Sequence, residues 1–81
     1  MRDGAPEPTI GRLATYVRCL RAALGEGVEM VSSAGIEERT GVSSAQVRKD
    51  LSYFGEFGKP GLGYAVEPLL TRLTHIMGLD R

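Results

Sequence analysis

The 81-residue sequence contains one cysteine, one histidine and no tryptophan, and each shortage removes a class of chemistry. Cys19 has no partner for an internal disulfide and cannot build a cysteine-based metal site. On an apolar helix it reads as a small hydrophobe, the usual role of a free cysteine. His75 has neither a second histidine nor a nearby cysteine with which to share a metal, so it reads as a helix-surface residue. No His, Asp, Glu or Cys constellation stands at catalytic spacing, and no enzymatic activity is expected. No apolar run approaches the length of about 20 residues needed to cross a bilayer. Met1-Arg2-Asp3-Gly4 leads into no apolar signal region, so the expected compartment is cytoplasmic, with no membrane partner. Internal repeats and low-complexity tracts are also missing. Neither sign of charge dominates, with ten basic and ten acidic residues, so the global electrostatic footprint of many nucleic-acid binders is absent.

What is present is an ordinary globular composition, 42% hydrophobic and 25% charged, enough for one small domain with a modest core. After Pro6 and Pro8, Ile10, Leu13, Val17, Leu20 and Leu24 recur at steps of three and four, the stripe of an amphipathic helix that Gly25 and Gly27 stop. Val28, Met30 and Val31 form a short extended run. A brief helix is expected from Ile36 to Thr40-Gly41, without a capping box because Gly35 lies three residues after Ser32. The next start is better specified. Ser43 is an N-cap with Gln46 at N3 to reach back to its amide, and Val42 can staple against Val47. Val47, Leu51 and Phe54 then share one face, Ala45, Lys49 and Ser52 point away from it, and Ser44 and Arg48 sit at the edge. A last helix is signalled by Pro68 at N1, followed by Leu69, Leu70, Leu73, Ile76 and Met77, and ended by Gly78.

Gly55, Gly58, Gly61 and Gly63 crowd into nine residues between the last two helices. A phosphate loop, a flexible linker and a hairpin all use such glycines. A G-x-G-x-x-G reading of Gly61-Leu62-Gly63 meets Val66 at its sixth position, and Gly58-Lys59 lacks the spacing and the following Ser or Thr of a Walker loop. A hairpin fits better, with Phe57 in one arm, Tyr64-Ala65-Val66 in the other and Gly58-Lys59-Pro60-Gly61 as the turn. The expected fold is mainly α with a small β-hairpin, a winged helix-turn-helix of four helices plus a short strand and wing hairpin.

Both lysines, Lys49 and Lys59, fall on the second helix of the pair and in the hairpin, and Arg48 is beside the first. Against Asp50 and Glu56 this leaves a balance of only +1 over residues 42–66, compatible with DNA contact or with an ordinary solvated face. Asp50 could orient Arg48 or Lys49, or close a local cap. A winged helix used for protein interaction, without DNA binding, is the alternative; its exposed helix face would be apolar or acidic.

The run Val42 to Tyr64, VSSAQVRKDLSYFGEFGKPGLGY, together with Arg12-Leu13-Ala14-Thr15-Tyr16-Val17-Arg18-Cys19-Leu20, strongly resembles the amino-terminal domain of the Rex family of bacterial redox-sensing transcriptional repressors. The resemblance runs from about Pro8 to Arg81. It implies a sequence-specific DNA-binding domain that recognises an inverted-repeat operator in double-stranded DNA as part of a homodimer. A following Rossmann-type domain would bind NADH or NAD+, and NADH would release the repressor. Residues 1–6 are then a flexible segment, 7–78 the winged-helix domain and 79–81 the start of a linker to a dinucleotide domain this chain does not contain. No cofactor is expected in the chain itself. Carried onto this sequence, Lys49 matches a base-reading position, and Arg48 and Ser44 match backbone- or base-contacting ones. Arg12 matches a first-helix arginine able to touch phosphate, and Arg18 matches a contact to the dinucleotide domain. Ala45 and Ser52 complete the exposed face. The family wing commonly carries Arg or Lys where this chain has Pro60, so the wing's role either falls to Lys59 or is weakened.

Overall fold

A computed structural model of the chain describes residues 7–55, 58–59 and 62–78. Four helices and three short strands follow in the order α1 (Glu7–Gly25), β1 (Met30–Val31), α2 (Ser33–Thr40), α3 (Ser44–Ser52), β2 (Gly58–Lys59), β3 (Gly63–Ala65) and α4 (Val66–Ile76). The helix-turn-helix with its wing is therefore present. The expectations for residues 1–6, for Phe57, Pro60 and Gly61, and for residues 79–81 lie outside the described residues.

α1 buries Leu13, Tyr16, Val17, Leu20 and Ala23, while Leu24 is exposed. Leu24 keeps the azimuth of Leu13 and Val17 but lies in the last turn, where the exposed run 24–27 carries the chain past the core, and Ala23 takes the inner place. α2 begins three residues before the expected Ile36. Ser32 caps it with its Oγ accepting from the Gly35 N–H at 2.9 Å, so a single hydroxyl starts the helix without an acidic partner at N3. α4 also begins early, at Val66, which places Pro68 at N3 rather than N1. Proline is tolerated there because the first-turn N–H groups have no intrahelical acceptor. The Val66 N–H instead donates to the Glu29 carbonyl at 2.9 Å, tying the helix start to the chain entering β1.

The strands form one antiparallel sheet in the order β1-β3-β2, with Met30 opposite Ala65, Val31 opposite Tyr64, Gly58 opposite Tyr64 and Lys59 opposite Gly63. Lys59 is thus a strand residue and not a turn residue, a correction to the expected hairpin. The ladder reaches that far because Gly63 adopts φ +90° and lies so close to β1 that a Cβ there would stand 2.5 Å from the Val31 carbonyl oxygen. The core closes where Ile36, Val47, Leu51, Phe54, Val66, Leu69 and Leu73 pack on the inner face of α1.

Candidate nucleic-acid interface

The turn between α2 and α3 is held by side chains from both helices. Gly41 caps α2 in the left-handed region at φ 83°, its N–H donating to the Glu37 carbonyl at 2.8 Å. Thr40 Oγ1 donates to the Ile36 carbonyl and accepts from the Val42 N–H. Ser43 Oγ accepts from the Gln46 N–H at 3.2 Å, and Glu37 Oε1 accepts from the Ser44 N–H at 3.0 Å. A carboxylate at this end also complements the positive end of the α3 dipole. The second half of the expected capping box does not form, because Gln46 Nε2 donates to Asp50 Oδ1 at 2.8 Å instead.

α3 therefore leaves the turn in a fixed orientation. Its outer side carries Ala45, Arg48, Lys49 and Ser52, all exposed, with Ser44 half-buried at the start. Arg48 Nη1 donates to Ser33 Oγ at 3.0 Å, which draws the guanidinium toward the first turn of α2. Ser52 Oγ donates to the Lys49 carbonyl at 2.6 Å. The Lys49 ammonium group has no hydrogen-bond or ion-pair partner among the described residues. Arg72 of α4 donates from Nε to the Phe54 carbonyl at 3.2 Å, holding the chain just past α3.

The inner side of α3 has a feature that sequence reading missed. Asp50 is fully buried and accepts five hydrogen bonds from four side chains. Thr9 Oγ1 reaches Oδ1 at 2.7 Å, Arg12 Nε reaches Oδ2 at 2.6 Å, and Arg12 Nη2 reaches Oδ1 at 2.9 Å. The Tyr16 hydroxyl donates to Oδ2, and Gln46 completes the set. The Asp50 carboxylate thus orients neither Arg48 nor Lys49 and closes no local cap; it joins α3 to α1. Arg12 is turned inward onto this carboxylate through Nε and Nη2, which leaves Nη1 as the nitrogen not engaged there. Arg18 is exposed on α1 and lines a shallow depression with Thr15, Cys19, Ala22, Arg39 and Thr40, apart from the outer face of α3. Two signals for the Asp50 cluster stand in the sequence. Thr9, Arg12 and Tyr16 are spaced by three and four on α1, and Asp50 falls between Val47 and Phe54 on the apolar side of α3.

Burial alone would raise the Asp50 pKa, but donation from Arg12, Tyr16, Thr9 and Gln46 outweighs it and holds the carboxyl at about 2, against an ordinary 3.8. Burial and the bond to Asp50 push the Tyr16 hydroxyl up, so it remains a donor at neutral pH. Burial likewise raises the Cys19 thiol, which keeps it in its unreactive form. Below its unfolded-state pKa the Asp50 carboxyl takes up a proton more readily in the unfolded chain than in the folded one. Its stabilisation is therefore full above about pH 4 and is lost as pH falls toward 2. Thermal unfolding followed from pH 5 to pH 2 is expected to show a steeper loss for the wild-type chain than for Asp50→Asn. Parallel curves would contradict the assignment of the low pKa to Asp50.

In β2 and β3, the backbone of Lys59 pairs with Gly63, and the exposed Leu62 marks the turn side of the hairpin. β3 passes into α4 with no intervening loop. Gly63 is taken up by its close approach to β1, and Gly61, the other glycine of that G-x-G, lies outside the described residues.

Comparison with known proteins agrees with this geometry. A family model described as "Putative DNA-binding protein N-terminus" matches residues 5–52. The chain is 52% identical over its whole length to 39% of the redox-sensing transcriptional repressor Rex of Thermosipho africanus. Over 94% of its length it is 62% identical to 36% of the protein of that name from Syntrophomonas wolfei. It therefore spans little more than a third of the curated relatives it matches. A crystal structure of RSP in complex with β-NAD+ and operator DNA superposes with a TM-score of 0.88 at 43% identity, covering 94% of this chain and 35% of that one. Among the described residues no helix is long and apolar enough to cross a membrane. With its matched family model, its winged-helix architecture and these relatives, the chain belongs to this DNA-binding family, as the kind of domain that stands at the amino terminus of the Rex redox-sensing repressors.

Proposed function

We propose that this chain is the operator-reading domain of a redox-responsive repressor in the cytoplasm, with α3 entering the major groove of an inverted-repeat site. The observation that carries the reading is the outer face of α3: small at Ala45, small and polar at Ser44 and Ser52, basic at Arg48 and Lys49, and fixed from behind. Lys49 is suited to guanine O6 and N7, and Ser44 and Arg48, the latter lying beside the start of α2, to the phosphate backbone. Lys59 in β2 and the remaining nitrogen of Arg12 supply further phosphate contacts. The domain has no catalytic role. In a whole protein, a second domain of Rossmann type supplies NADH or NAD+ binding and the main contacts of a homodimer, and Arg18 faces that domain.

With equal numbers of acids and bases in the chain, one copy binds weakly, and two copies on successive major grooves recover affinity and specificity. Lys49→Ala is expected to cost about 1–3 kcal/mol on a duplex selected from a random library and to flatten preference at one base pair of each half-site. Gel-shift titration against that duplex and a scrambled one, at two salt concentrations, checks this. Equal losses on both duplexes would reduce Lys49 to a phosphate contact.

A further inference from the structure

We propose that Asp50 is a positioning residue for sequence reading: from the buried side of α3 it sets the angle at which the helix presents Lys49 and its neighbours. The inference rests on the reading of α3 as the DNA-contacting helix. Val47, Leu51 and Phe54 also seat α3, but apolar packing is non-directional and lets a helix roll slightly without losing its burial. Hydrogen bonds constrain that roll. Thr9, Arg12 and Tyr16 span about 10 Å of α1, so one carboxylate is held at three heights along its neighbour. Gln46, one turn earlier on α3, binds the same oxygen as Thr9 and ties the first turn of the helix to the same point.

Asp50 follows Lys49 directly, so a rotation that strains one carboxylate bond swings the Lys49 side chain by the same angle. A helix with its side chains has a radius of about 5–6 Å, so a roll of about 10° carries a side-chain tip about 1 Å. That exceeds the distance range of a good hydrogen bond. Stability alone does not call for such a network, since a buried ion pair is often replaceable by apolar residues without loss. What apolar residues do not supply is a single orientation for the helix.

The test compares Asp50→Asn and Tyr16→Phe with Leu73→Ala, which weakens the core on α4 without touching the network. Each 81-residue chain, shown by circular dichroism to be folded at the assay temperature, is titrated with two duplexes at one salt concentration. One is selected from a random-sequence library on the wild-type chain, and the other is a scrambled duplex of equal composition. Asp50→Asn and Tyr16→Phe are expected to lower the ratio of the two affinities about tenfold, largely through loss on the selected duplex, while Leu73→Ala keeps the wild-type ratio. Should Asp50→Asn not fold, Tyr16→Phe decides, because it leaves the Arg12–Asp50 pair in place. Wild-type ratios in the network variants, or an equal drop in Leu73→Ala, would overturn the proposal. A wild-type chain that selects no duplex at all would instead remove the reading of α3 itself, and this inference with it.

Discussion

Asp50→Ala is expected to destabilise the chain by about 3 kcal/mol, the low end of what breaking a buried ion pair costs. The substitution leaves the Arg12 side chain, 29% exposed, without its counter-charge, and leaves Thr9, Tyr16 and Gln46 pointing at a void. Arg12 can swing partly into solvent, which is why the low end applies. The buried donors Thr9 and Tyr16 have no such escape, and each unmet buried group costs about 1–3 kcal/mol before relaxation. For a domain of this size, whose total stability is of the order of 4–12 kcal/mol, the loss is a large fraction. Urea denaturation at pH 7 measures it. A loss under about 1 kcal/mol would mean that the network is replaceable by water and does not hold α3 to α1.

Gly63→Ala is expected to cost at least about 3 kcal/mol and to loosen the junction of β1 with β3. Two penalties coincide. The residue sits at φ +90°, where a side chain is strained, and its Cβ would meet the Val31 carbonyl oxygen at 2.5 Å and the Ser32 Cα at 2.9 Å. Strain of this type costs about 1–3 kcal/mol by itself, and the obstructing atoms are backbone that shifts only with the strand and the cap of α2. Two other glycines serve as controls. At Gly58 a Cβ would meet the Tyr64 ring edge at 3.3 Å, a side chain able to give way, and at Gly11 it would meet nothing within 4 Å. Gly58→Ala is therefore expected to be mild, and Gly11→Ala, in the interior of α1, to stabilise by about 0.5–1 kcal/mol. Denaturation curves for the three variants, with amide exchange at Val31 and Ala65, test the ordering. Equal effects at positions 63 and 58 would show that the close approach of β1 and β3 is not needed.

Much of this architecture is legible in the sequence because local signals and the apolar pattern agree. The period of α1, the Ser43 cap, the left-handed position at Gly41 and the spacing of Leu69, Leu70 and Leu73 each point to the element observed. Helix starts are hidden where apolar residues begin later than the helix. Ser32 caps α2 four residues before its first buried residue, Ile36, and α4 takes its first turn from a hydrogen bond to Glu29 that no local pattern announces. The hairpin is recognisable from its glycines, but the place of Lys59 in its strand is not. The extent of the ladder depends on Gly63 nesting against β1, a contact made across more than thirty residues of chain.

The site divides in the same way. Exposure of Ala45, Arg48, Lys49 and Ser52 follows directly from helical spacing. The Asp50 cluster does not, because a charged residue is ordinarily assigned to solvent, and only tertiary contact reveals that Thr9, Arg12 and Tyr16 surround it. Arg12 illustrates the consequence: as a side chain on its own helix it looks available to phosphate, and in the folded chain two of its nitrogens serve a buried carboxylate.

The central claim is that the chain meets DNA through the outer face of α3. Two-dimensional 15N–1H spectra of the labelled chain, titrated with a library-selected duplex, test it most directly. The account predicts that the largest amide perturbations fall at Ser44, Ala45, Arg48, Lys49 and Ser52, with a second group at Gly58, Lys59 and Leu62. Perturbations centred instead on Leu24 to Met30 and Glu67, with α3 unchanged, would contradict it.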